Sequence, residues 1–169
     1  MQRYNPRLSL HAGLIEYICL VKMSIAYTYE TDFSLANEPR YTNWLTSCAV
    51  RLSIRTMDLV YAFMDDNALL ALNKKYLGHN TFTDIITFDD TIGSDLKANI
   101  AISVDRVKEN AAIHKVDFTN ELCRVMAHGM LHCVGYTDKS VEDVAKMRQA
   151  EDQLIHLFHV EQNPSDNVC

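Results

Sequence analysis

Proline and glycine are scarce, with 3 and 5 in 169 residues, and hydrophobic residues make up 48%. That balance leaves no room for a low-complexity or linker-dominated chain and implies one compact domain. The 5 cysteines are odd in number and contain no C-x-x-C pair. A disulfide framework is therefore not expected, and a reducing, cytoplasmic setting is. No uninterrupted apolar run reaches the ~18 residues that a membrane span needs. Positive charge is also short: 16 Lys and Arg face 22 Asp and Glu, for a net charge of −6. A polyanionic partner would need a local basic patch, because the bulk field repels it.

Residues 1–22 are the odd part. Arg3 and Arg7 precede an apolar run from Leu14 to Val21, as in a signal peptide. Glu16 interrupts it and no small-x-small cleavage site follows. The domain is expected to span 23–160, preceded by a disordered or mis-annotated extension (1–22) and followed by a polar tail (161–169).

What is present is concentrated in His128-Gly-Met-Leu-His132-Cys-Val-Gly135-Tyr-Thr-Asp138. Imidazoles four residues apart on a helix share one face, so both reach one metal ion. Gly135 permits the backbone reversal that ends the helix, and Asp138 then returns as an oxygen ligand. Two His and one carboxylate, with a position left for water, make the ligand set of a catalytic zinc site. A His pair alone is weak evidence, but the helical pattern of Leu122, Val125, Met126 and Met130 before it, the glycine stop and the acid beyond it agree. Cys133 points about 100° away from His132 on the helical period and reads as packing. An H-E-x-x-H peptidase needs a general base directly after the first His, and Gly129 stands there.

Alternation predicts strands over Ser24–Tyr29, Ile54–Ala62, Thr83–Phe88 and Asn99–Ser103. Helices are predicted from Pro39 to Arg51, with Trp44, Leu45, Cys48 and Leu52 inward, and from Asp65 or Asp66 to Tyr76, with Leu69, Leu70 and Leu72 inward. A third starts at the cap Ser103 and runs to His114. The metal helix covers Thr119–Val134, and a last one follows the Ser140–Asp143 capping pair to Phe158. The expected class is α+β: a small mixed sheet of about four strands packed with about five helices, the metal site on a central helix and its following turn.

Thr83-Asp84-Ile-Ile-Thr-Phe88, Ile102-Ser103-Val-Asp105-Arg106-Val, His128-Gly-x-Leu-His132-x-x-Gly135-Tyr136 and Leu72-Asn73-x-x-Tyr76 resemble the YbeY family over roughly Met23 to Phe158. The resemblance implies a single-domain, metal-dependent endoribonuclease that acts in ribosomal RNA maturation. Its partners would be single-stranded RNA, in that family ribosomal RNA, and a ribosomal subunit or ribosomal proteins. Three positions depart from the family pattern. Asp138 stands where a third His is usual, Leu77 where an Arg linked to catalysis is common, and Ala98-Asn99 where the family has Gly-Asp.

The ligands expected for one Zn2+ are therefore His128, His132 and Asp138. Lys75 and His79 are candidates for the catalytic charge lost at Leu77, and Lys74 and Lys75 for RNA contact. Asp84 reads at least equally as a structural bridge. Asp105, Arg106, His114, His156 and His159 read as surface or structural positions. The alternatives are a non-catalytic ribosome-associated zinc protein, motivated by Leu77, and a zinc metallopeptidase, disfavoured by Gly129.

Overall fold

A computed structural model of the protein describes residues 22–160. The expectations for the N-terminal extension (Lys22 apart) and for the polar tail lie outside the described residues. The observed class is the expected one. Strands β1 (Met23–Tyr29), β2 (Thr56–Met64), β3 (Ile85–Asp89) and β4 (Asp95–Ser103) form one sheet in the order β1-β2-β4-β3. The β1–β2 and β2–β4 pairs are parallel, and β3 runs antiparallel to β4 as an edge strand.

Five α-helices accompany the sheet among the described residues: α1 (Glu38–Arg51), α2 (Asp66–Leu72), α3 (Val104–His114), α4 (Phe118–Cys133) and α5 (Val141–Val160). Their starts follow from side-chain caps that take up otherwise unpaired backbone N–H groups. Asn37 accepts from Arg40 N at 3.2 Å, Asp65 from Ala68 N at 2.8 Å, Ser103 from Arg106 N at 3.1 Å and Asp117 from Asn120 N at 2.8 Å. At α5, Ser140 and Asp143 bond reciprocally through side chain and backbone at 3.1 and 3.3 Å.

The sheet's two faces are unequally covered. Met57, Leu59, Tyr61 and Phe63 of β2, with Leu96, Ala98, Ile100 and Ile102 of β4, point into the main core with α1, α4 and α5. The other face holds a small cluster of Met64, Leu69, Ile86 and Ala101 beneath α2. Two buried hydrogen bonds tie the helices down: Tyr61 OH donates to Met126 O at 3.0 Å, and Trp44 Nε1 to Leu154 O at 2.7 Å. No described helix is long and apolar enough to cross a membrane.

Several boundaries differ from expectation. The second strand starts at Thr56 because Ile54 still belongs to the turn closing α1: Ser53 has φ +57° and Ile54 N donates to Ala49 O at 2.9 Å. The fourth strand starts four residues before Asn99, since Leu96 and Ala98 alternate inward and pair along the whole of β2. The helix expected to reach Tyr76 stops at Leu72 and continues as a π-helical turn, Asn73–Leu77. Buried Asn73 donates to Thr81 O at 2.8 Å and Gly78 closes the turn at φ +70°. Of Leu69, Leu70 and Leu72, only Leu69 is fully buried, because the face α2 covers is small.

Candidate metal centre

The site is built on α4, the most buried helix, which crosses the main core. Position 129 is where that helix comes closest to the sheet. A Cβ on Gly129 would lie 2.8 Å from Ile85 Cδ1 and 3.1 Å from Ile100 Cγ2. Glycine is favoured there by packing, because any side chain directly after His128 must push Ile85 and Ile100 aside. This adds a steric argument against the peptidase reading to the chemical one.

His128 and His132, one turn apart, bring their Nε2 atoms to 2.9 Å. The opposite ring nitrogens are both committed. His128 Nδ1 donates to Glu151 Oε1 of α5 at 2.8 Å, and His132 Nδ1 donates to Tyr136 O at 3.0 Å. A carboxylate and a carbonyl only accept, so each Nδ1 carries a proton, and in the neutral rings both Nε2 atoms present lone pairs. Two facing lone pairs at 2.9 Å repel unless a cation or a shared proton lies against them.

The turn after α4 completes the arrangement. Gly135, at φ +94°, reverses the chain, and Tyr136 N donates back to Leu131 O at 3.0 Å. That reversal aims the Tyr136 carbonyl at His132 and brings Asp138 Oδ2 to 3.9 Å from His132 Nε2. One ligand atom from each of His128, His132 and Asp138 lies within 4.8 Å of the others. The donor set fits zinc: nitrogen ligands 2.0–2.1 Å from a tetrahedral ion stand about 3.3 Å apart, so the rings need separate by only a few tenths of an ångström. Cys133 points elsewhere. Its Sγ donates to Gly129 O at 3.2 Å, and burial pushes its thiol up to about 12, too high for a ready thiolate.

A cavity of about 170 Å³ opens beside the pair, walled by α3, α4 and α5. Its wall contains a charge network with no counterpart among the sequence candidates. Glu151, 1% exposed, takes His128 on one oxygen and both Arg124 (2.9 Å) and Arg148 (3.0 Å) on the other. Burial alone raises the Glu151 carboxyl, but those hydrogen bonds and charges outweigh it and hold it below the ordinary value. Arg124 also pairs with Asp152 at 2.8 Å. Glu121, 3% exposed, lines the same cavity, with His114 Nδ1 3.6 Å from its Oε2. One signal could have exposed Glu151: an acid set between Met147, Ala150, Leu154 and Ile155 on the buried stripe of a helix.

The other candidates are placed apart. Lys74, Lys75 and His79 are exposed after α2 and do not line the cavity. Leu77 is 51% exposed beside them. Asp84 does line it: its carboxylate accepts from Asn110 Nδ2 at 3.2 Å and its carbonyl from Ser103 N at 2.9 Å, so it is also the expected bridge. Arg106 is paired with Asp66 at 2.7 Å, while His156 and His159 are exposed on α5.

The family model "Endoribonuclease YbeY" matches residues 28–159. The chain belongs to the YbeY family. It is similar to the endoribonuclease YbeY of Flavobacterium johnsoniae, 47% identical over 138 residues, covering 82% of this chain and 99% of that protein. The Flavobacterium psychrophilum YbeY is 46% identical over 139 residues, with the same two coverages. Among solved structures, a solution structure of a Thermotoga maritima protein superposes with a TM-score of 0.59 at 20% identity. It covers 86% of this chain and 96% of that one, and it supports the fold alone. The matched span takes in all the His128–Asp138 segment, so the ligand cluster lies within the region this chain shares with the YbeY family.

Proposed function

We propose that this chain is a zinc-dependent endoribonuclease that cuts single-stranded RNA, acting in the cytoplasm on ribosomal RNA in association with the ribosomal subunit or its proteins. The observation that carries the reading is the facing pair of bare Nε2 atoms on His128 and His132, with Asp138 in reach. Family membership supplies the RNA; the geometry supplies the reason for a metal.

A bound zinc ion would contribute Lewis acidity toward a phosphoryl oxygen and acidify a coordinated water. The protein's own contribution is orientation. Glu151 and the Tyr136 carbonyl fix both rings so that neither can turn its lone pair away. Arg148, half-exposed at the cavity wall, keeps a guanidinium where negative charge develops on phosphate. The cavity's apolar side (Ile85, Val125, Met147) limits water around the reacting group.

The test is metal content and cleavage of a single-stranded RNA, measured together on wild type and Asp138→Ala. We expect one zinc per wild-type chain, with loss of both zinc and cleavage in the variant. Full zinc and full activity in Asp138→Ala would refute the ligand set. One zinc with intact RNA in the wild type would favour the non-catalytic, ribosome-associated reading that Leu77 motivates.

A further inference from the structure

From Asn67 to Thr83 the sequence contains no acidic residue, in a chain whose net charge is −6. The middle of this stretch is the π-helical turn Asn73–Leu77, a rare conformation that recurs at functional sites. Lys74 and Lys75 are exposed on it, and neither makes an ion pair among the described residues. Two aromatic rings of the stretch stand half in water, Tyr76 at 55% and Phe82 at 50% exposure. Each already holds a cation. Lys75 Nζ lies 4.8 Å from the centre of the Tyr76 ring, which also packs edge-to-face with Phe88. Arg106, itself paired with Asp66 and Glu109, places its Cζ 4.8 Å from the Phe82 ring centre.

The Phe82 end of this stretch leads toward the metal centre. Asp84, two residues beyond Phe82, lines the cavity that holds His128. Asn110, one turn after Arg106 on α3, donates to Asp84 and lines that cavity as well. Those four residues rise about 6 Å along the helix, close to one step of an extended nucleotide chain. Strand β3 is the sheet edge, so no other described strand lies beyond it.

We propose that Tyr76 and Phe82 form a base-stacking platform for the single strand entering the His128 cavity, with Lys74 and Lys75 neutralising its phosphates. Lysines interleaved with half-exposed rings, with no acid between Asn67 and Thr83 in the sequence, are the chemistry of sequence-tolerant single-strand binding. An apolar protein partner would instead call for a groove without fixed charge. Paired bases cannot offer their faces to the rings, so the platform also explains selection of single strands. The proposal deepens the ribonuclease reading and rests on it.

The experiment uses the full-length protein, stripped of metal in chelator so that nothing is cut. A fluorescent single-stranded oligouridylate of about 12 nucleotides is titrated by anisotropy. Tyr76→Ala and Phe82→Ala should each weaken binding about tenfold, while Phe82→Trp retains it. Lys74→Gln with Lys75→Gln should lower the salt slope of log K by about 1.4. Because the rings are half-exposed, thermal melts should stay near wild type, separating lost stacking from lost fold.

No binding by the wild type, or wild-type affinity in both alanine variants, would overturn the platform. So would a Phe82→Trp variant as weak as Phe82→Ala. If binding behaves as stated and the zinc-loaded protein still leaves RNA intact, the platform stands and the ribonuclease reading falls.

Discussion

The Nδ1 of His128 and the Oε1 of Glu151 lie 2.8 Å apart, joined across α4 and α5 from positions 23 residues distant in the chain. The carboxylate is buried and also takes Arg124 and Arg148, so one acid sets the ring orientation of a candidate ligand and pins two helices together. Removing it acts on both functions.

Glu151→Ala is therefore expected to cost about 3 kcal/mol, because it removes the buried partner that Arg124 and Arg148 share and frees the His128 ring. Glu151→Gln keeps an acceptor for His128 but turns an amide toward two arginines, and should lower zinc affinity by about 10- to 100-fold. Chemical denaturation of the metal-free protein measures the first effect and competition with a chelating dye the second. Unchanged zinc affinity in Glu151→Gln would remove the orienting role.

The contrast between His128 and Glu151 shows what was legible in the sequence. His128, His132 and Asp138 are local: a four-residue helical step and a glycine turn bring them together, so the segment is enough to find them. The cap residues Asp65, Ser103 and Ser140 were legible for the same reason. Glu151 meets His128 and Arg124 only because α5 docks on α4, with Met147, Leu154 and Phe158 buried in the core. Nothing in the spacing of Arg124, His128 and Glu151 encodes that. The π-helical turn was equally hidden, since it depends on Asn73 reaching a carbonyl eight residues on. Gly129 was read for its missing base, while its packing against Ile85 and Ile100 needed the sheet.

That packing makes Gly129→Ala a sensitive probe. Alanine gains about 1 kcal/mol in helix propensity, but its Cβ meets Ile85 Cδ1 and the buried Ile100 side chain. The end of Ile85 is half-buried and can move; Ile100 has nowhere to go. Overpacking of this kind costs about 1–3 kcal/mol, so the net change should be destabilising by about 1 kcal/mol. Gly129→Leu should be clearly worse. A Gly129→Ala protein more stable than wild type, measured by urea unfolding, would show that α4 has room to lift.

Asp66 links the start of α2 to the cap of α3, accepting from Ser103 Oγ and from Arg106 Nε at 2.9 Å. Its partial burial raises the carboxyl, yet the Arg106 and Ser103 bonds and the Arg106 charge bring it below the ordinary value near 3.8. The folded value is thus lower than the unfolded one, so the unfolded chain takes up the proton first as pH falls. The stabilisation is complete above the ordinary carboxylate range and is lost as pH drops through the folded value. Asp66→Asn should remove this component, giving a shallower loss of stability below about pH 4. Identical pH profiles for the two proteins would mean the pair contributes nothing.

Asp138 is half-exposed, so its replacement tests the ligand set with little risk to the fold. The family's usual residue there is histidine. Asp138→His should retain one zinc per chain, because imidazole is a competent and softer zinc ligand. It also removes one negative charge beside the substrate phosphate, which favours approach of RNA. Asp138→Asn, by contrast, keeps the shape and loses the charged oxygen, and should weaken zinc by at least tenfold. Metal content after dialysis against a weak chelator ranks the three proteins. An asparagine variant that holds zinc as tightly as wild type would place the third ligand elsewhere.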